Sequence, residues 1–140
     1  MDALLIAIVT WLSVNFGLPP DYELPNVAYL PNAEISEFRY GGVAAEKRRE
    51  VVAVYDDRTE TILLTDGWTG RSPAELSVIV HEMVHHLQNR ARLRFECETA
   101  REELAYAAQE AWLELFGRDL ETEFDLDPMT LKLSTRCMPY

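Results

Sequence analysis

The sequence predicts an α+β fold. Three features carry that expectation: a β-branched hairpin at residues 50–65, a long capped helix that follows it, and a second long stretch of helical periodicity behind that helix. At 140 residues the chain is long enough to bury a core without a metal or disulfide staple, and one domain is expected over residues 1–140. No repeat, low-complexity tract or linker divides it.

The elements follow in order. ALLIAIVTWLSVNFGL near the start is apolar but only about 16 residues long, short of the ~20 that a spanning helix needs, so a buried amphipathic helix is expected and no membrane span. Asp2 can cap it, Gly17 can end it in a left-handed turn, and Pro19 and Pro20 forbid continuation. A basic n-region and a small-residue cleavage site are both missing from this stretch, which argues against a signal peptide. Residues 26–30 (NVAYL), between prolines, read as a short strand. Asn32 then caps a short helix to about Tyr40, closed by Gly41 and Gly42, and residues 43–49 read as a polar surface loop.

Residues 50–55 (EVVAVY) and 60–65 (ETILLT), separated by Asp56, Asp57 and Arg58, form the hairpin. After DGWTGR, Ser72-Pro73-Ala74-Glu75 makes a capping box with proline at the first helical position, and a helix is expected from Pro73 to about Arg90. The next helix is expected over 95–116, stopped by Gly117, with a core face of Cys97, Ala100, Leu104, Ala108, Ala111 and Leu115. Asp127-Pro128 opens a last short helix reaching about Arg136.

Composition excludes some functions. A formal charge of −11 leaves no basic stripe to neutralise phosphates, so no nucleic-acid partner is expected, and anionic membranes are disfavoured on the same ground. Cys97 and Cys137 are either one disulfide or two buried thiols; their spacing fits neither a zinc knuckle nor a redox pair. The compartment expected is cytoplasmic, or exported if a longer precursor exists and the two cysteines are bridged. Nothing in the residues fixes the oligomeric state.

The chemistry concentrates in His81-Glu82-Met83-Val84-His85. On a helix, residues i and i+4 lie on one face, so two imidazoles can converge on one ion, with Glu82 beside them to take a proton from the attacking water. Zinc is the expected metal. Chance produces HExxH in roughly one chain of this length in a few hundred, so the motif is informative. His81, His85 and His86 are all the histidines of the chain, and His86 points about 100° away around the helix. The third ligand must therefore be a carboxylate. Glu103, Glu110 and Glu114 share a solvated face, whereas Glu98 and Glu102 lie on a flank with Ala105, Gln109, Leu113 and Phe116. Either of those two can face the metal.

HExxH followed on the next helix by Glu102-Glu103-Leu104-Ala105-Tyr106 resembles the gluzincin zinc peptidases, whose third ligand sits three residues before a small residue. The resemblance implies Glu102. Where many gluzincins carry an aspartate that orients a ligand histidine, this chain has Tyr106. VVAVYDD, TILLTDGWTG, SPAELSVIVHEMVHHLQ, Cys97 and AYAAQ are similar to a small bacterial family of minimal gluzincin-like, zincin-fold proteins, over about the middle two thirds of the chain. The resemblance implies a hydrolase acting on a peptide or protein substrate, with His81, His85 and Glu102 on zinc and Glu82 as general base. By the same analogy residues 61–64 are a substrate-pairing edge, or else an ordinary hairpin strand. Tyr106 is the nearest candidate to donate to an oxyanion, with Tyr40 and Tyr55 behind it. Trp68 either lines a cleft or closes its loop onto the core. A non-catalytic zinc-containing binding protein and a structural zinc are the competing readings.

Overall fold

A computed structural model describes residues 1–40 and 53–137. It is α+β: a three-stranded mixed sheet with several helices around it. α1 spans Asp2–Phe16 and buries Leu5, Ile8, Val9 and Leu12, the i, i+3, i+4, i+7 stripe of a helix with one face on the core. Gly17, at φ 68°, ends it in the left-handed turn expected of glycine. Asp2 does not cap this helix. Met1 takes that position without a side-chain hydrogen bond, and Asp2 is the first helical residue.

β1 (Asn26–Leu30) pairs in parallel with β3 (Thr61–Thr65), and β2 (Ala53–Asp56) pairs antiparallel with it, giving the order β1-β3-β2. Asn26 faces Thr61 in the first pairing and Tyr55 faces Ile62 in the second. Strand alternation then sorts the side chains. Tyr55, Ile62 and Leu64 point into the main core, while Val54 and Leu63 pack with Ile35 of α2 (Asn32–Tyr40) on the opposite face. With helices on both faces, the centre of β3 is buried throughout.

This topology corrects one expectation. Residues 61–64 cannot present a free edge to a substrate, because β1 and β2 occupy both edges of β3. The family analogy implied an open edge here; the parallel addition of β1, distant in sequence, makes the strand central. The closing glycines Gly41 and Gly42, the loop 43–49, residues 50–52 of the hairpin and the Tyr40 side chain lie outside the described residues.

α3 covers Pro73–Arg90, with Ser72 Oγ accepting the Glu75 N–H at 3.1 Å. Only that half of the capping box forms. The Glu75 carboxylate accepts from the backbone N–H and hydroxyl of Thr69, at 2.8 and 2.7 Å, and so ties down the preceding loop. Trp68 closes the same loop onto the core: its Nε1 donates to Glu75 O at 2.7 Å, and its ring covers Gly70 so closely that an added Cβ would sit 2.7 Å from it.

α4 is shorter than the periodicity predicted. It runs Arg101–Glu114, after a 3₁₀ turn at Glu98–Ala100, and residues 95–97 are not helical. Its buried residues are Ala105, Ala108, Gln109 and Leu113; of the expected core face only Ala108 is fully buried, and Leu115 is 62% exposed. Hydrophobicity alone chose the wrong face, because Glu102 and Gln109 find polar partners inside. α5 (Leu120–Phe124), capped by Asp119 on the Thr122 N–H, was not anticipated, and α6 (Pro128–Ser134), capped by Asp127, ends two residues before Arg136. A disulfide joins Cys97 to Cys137 across 40 residues. Among the described residues no helix is long and apolar enough to cross a membrane.

His86 ties α3 to the sheet. Its Nε2–H donates to Glu23 O at 2.7 Å, so Nδ1 is left to accept from the Tyr55 hydroxyl at 2.8 Å. Burial holds the His86 pKa below its ordinary 6.5 and pushes the Tyr55 phenol up to about 12. A lowered histidine pKa stabilises the fold above 6.5, and that contribution is lost as pH falls below it. The destabilisation caused by His86→Gln, expected at about 1–3 kcal/mol for a stranded buried partner, should therefore shrink as metal-free protein is acidified below 6.5. Melting curves of both proteins across that range test this.

Candidate metal centre

Helical spacing and one close helix pair build the site. His81 and His85, one turn apart on α3, are both buried, and their ring centroids lie 5.0 Å apart at 74°. Ala105 and Ala108, small and fully buried, let α4 approach α3 closely. That approach delivers Glu102, whose Oε2 lies 2.8 Å from His81 Nε2 and whose Oε1 lies 2.9 Å from His85 Nε2.

The far side of each imidazole is fixed by a glutamine. His81 Nδ1 meets Gln109 Oε1 at 2.9 Å, and the Gln109 amide nitrogen donates to Ser77 Oγ at 3.1 Å, which itself donates to Ala74 O. His85 Nδ1 meets Gln88 Oε1 at 2.9 Å, and the Gln88 amide nitrogen donates to the Arg101 carbonyl at 3.1 Å. A carbonyl only accepts, so Gln88 must turn its oxygen to His85; Ser77, its own proton committed to Ala74, orients Gln109 likewise. Each neutral ring therefore carries its proton on Nδ1 and leaves the Nε2 lone pair on the side of Glu102.

Three Lewis bases thus converge. A lone pair facing a carboxylate oxygen at under 3 Å is repulsive unless a cation or a proton lies between them. His85 Nε2 is in addition buried with no hydrogen-bond partner among the described residues, although Glu102 Oε1 lies 2.9 Å away. The three side chains each offer a ligand atom within 4.8 Å of the others, a group that can hold a metal ion. Without a metal the protons take its place. Burial opposes charge on both groups, yet the two histidines hold the Glu102 carboxyl far below its usual range, and Glu102 with Glu82 raises the His85 pKa.

The other expected residues fall as follows. Glu82 is buried but makes no hydrogen bond or ion pair among the described residues, and its charge acts on His85. The Tyr106 ring packs edge-on against His81, centroids 4.5 Å apart. The Tyr55 hydroxyl is engaged with His86 and Asn89 and not with His81, His85 or Glu102. Of the two carboxylates left open by the sequence, Glu98 is excluded: its side chain is 92% exposed and its nearest cation is Arg101 at 3.9 Å. Gln88, Gln109 and Ser77 were missed. Their signal was present as polar residues on the ligand faces, Gln88 three positions after His85 and Gln109 two turns after Glu102.

Because an orienting partner typically accounts for about 10–100-fold in metal affinity, Gln109→Leu should weaken metal binding by that factor while leaving the Glu102 contact available. Competition with a chromophoric chelator measures it; unchanged affinity would make the Gln109 contact incidental.

Nothing matches the chain among curated proteins, and nothing matches among solved structures. A family model described as "Domain of unknown function (DUF6647)" matches residues 1–140, the whole sequence, and the chain belongs to that family.

Proposed function

We propose that this protein is a zinc-dependent peptidase of the gluzincin kind on a zincin-like scaffold, hydrolysing peptide bonds with Glu82 as general base. The observation that carries the reading is the convergence of His81 Nε2, His85 Nε2 and one Glu102 carboxylate, with both outer nitrogens anchored by glutamine. Two histidines and a carboxylate form a donor set suited to catalytic zinc, and the orphaned His85 Nε2 suits a cation. Bound there, zinc would lower the pKa of a water toward ~7 and polarise a carbonyl.

The chain's own residues supply the rest. Glu82, next to His81 and without a hydrogen bond among the described residues, is available to accept a proton from the attacking water and pass it to the leaving amine. Gln88 and Gln109 hold the imidazoles in the tautomer that faces the ion. Tyr106, against His81, is the candidate donor to the carbonyl oxygen as charge develops there.

Elemental analysis of the purified protein, joined to a peptide-cleavage screen before and after chelation and zinc return, tests the proposal. Near-stoichiometric zinc and cleavage lost and restored with it are expected. Protein that takes up no zinc, or that holds it and cleaves nothing, rejects it.

A further inference from the structure

A groove of about 1030 Å³ runs between α4 on one side and α5 and α6 on the other. Tyr106 belongs to both places: it lines the groove, and its ring contacts the ligand His81. Ala107, Leu120, Leu126 and Leu131 give the groove an apolar lining. Five carboxylates border it against three cations, and one of those cations, Arg118, is engaged by Glu123 at 3.1 Å. Glu103 and Glu114 are exposed there and form no ion pair among the described residues.

From the shared Tyr106, the lining and the charge balance, we infer that this groove binds the peptide segment flanking the cleaved bond, accepting a large apolar side chain and disfavouring acidic ones. The inference rests on the peptidase reading. An extended peptide lying past Tyr106 enters the groove directly, and its apolar side chain gains burial that a flat surface does not offer. Acidic residues in that segment meet like charge on the α4 wall.

The far wall depends on the disulfide. α6 buries no residue of its own, and its C-terminal end is fastened to the turn before α4 by Cys97–Cys137 and by the Thr99 hydroxyl on Arg136 O at 3.3 Å. Reducing that bond with a dithiol, which converts the disulfide to two thiols as the dithiol is oxidised to its own disulfide, should loosen this wall and leave the ligands on α3 and α4 in place.

Binding separates this inference from the function it rests on. Zinc-loaded Glu82→Gln protein is titrated with fluorescent peptides that differ in one side chain, apolar, cationic or acidic. Apolar peptides should bind, acidic ones about tenfold or more weakly, and Ala107→Trp, which fills the groove from an exposed position, should cost about tenfold at unchanged zinc content. Leu131→Asp on α6 is the second variant should the first fail to fold. Equal binding by the groove variants, or no binding by any peptide, overturns the inference. If zinc is absent or no peptide is cleaved while groove-dependent binding persists, the peptidase reading fails and the groove stands.

Discussion

Replacing Glu82 by glutamine should reduce peptide hydrolysis by about 10²–10⁴-fold, the usual contribution of a positioned general base, with little change in bound zinc or melting temperature. The structure explains why the losses should separate. Glu82 is not one of the three converging groups and makes no hydrogen bond or ion pair among the described residues, so an isosteric amide removes a proton acceptor without stranding a partner. Its charge favours the protonated form of His85, so the metal-free variant should bind zinc no more weakly than the parent. Steady-state cleavage, metal analysis and thermal melting of the same preparation decide the matter. Full cleavage by the variant would remove Glu82 from the mechanism. Equal partner binding without cleavage by either form would favour a non-catalytic binding protein.

Much of the site could be read from the chain because helical geometry is local. His81 and His85 needed only a helix, and Ser72 with Pro73 marked where it starts. Glu102 required knowing which face of α4 turns inward, and there residue hydrophobicity misled: Leu115 is exposed while Gln109 is buried. A polar side chain is buried when its partners are already fixed elsewhere, and those partners, Ser77 and His81, sit 32 and 28 residues away. Sheet order escaped for a related reason. The β-branched pattern gave the hairpin, but the parallel pairing of Asn26–Leu30 with β3 depends on a crossover that no local signal encodes. α5 was overlooked because five residues are too few to show a period, although Asp119 three residues before Thr122 carried its cap.

Glu102→Ala should be the most damaging change to metal binding, exceeding the 10–100-fold typical of residues that only orient a ligand, whereas Glu98→Ala should leave it intact. Glu102 brings a carboxylate oxygen within 2.9 Å of both Nε2 atoms, and Glu98 points to solvent. The metal-free proteins should differ too, in a way that pH reveals. A carboxyl whose folded pKa is depressed stabilises the fold above its ordinary value of 4.5 and loses that contribution as pH falls below it. A histidine whose pKa is raised contributes below its ordinary 6.5 and loses the contribution as pH rises through the folded value. The cluster therefore stabilises metal-free protein most between pH 4.5 and 6.5, while zinc affinity should climb above that window, because His85 must shed its proton before it can serve as a ligand. In Glu102→Ala the carboxylate that touches both rings is gone and His85 keeps only the more distant influence of Glu82, so the stability maximum should flatten along with the loss of zinc. Denaturant midpoints of chelated wild type, Glu102→Ala and Glu98→Ala across pH 4–8, beside zinc titrations of each, provide the check. A wild-type profile shared by Glu102→Ala would mean that the three groups do not act as one centre.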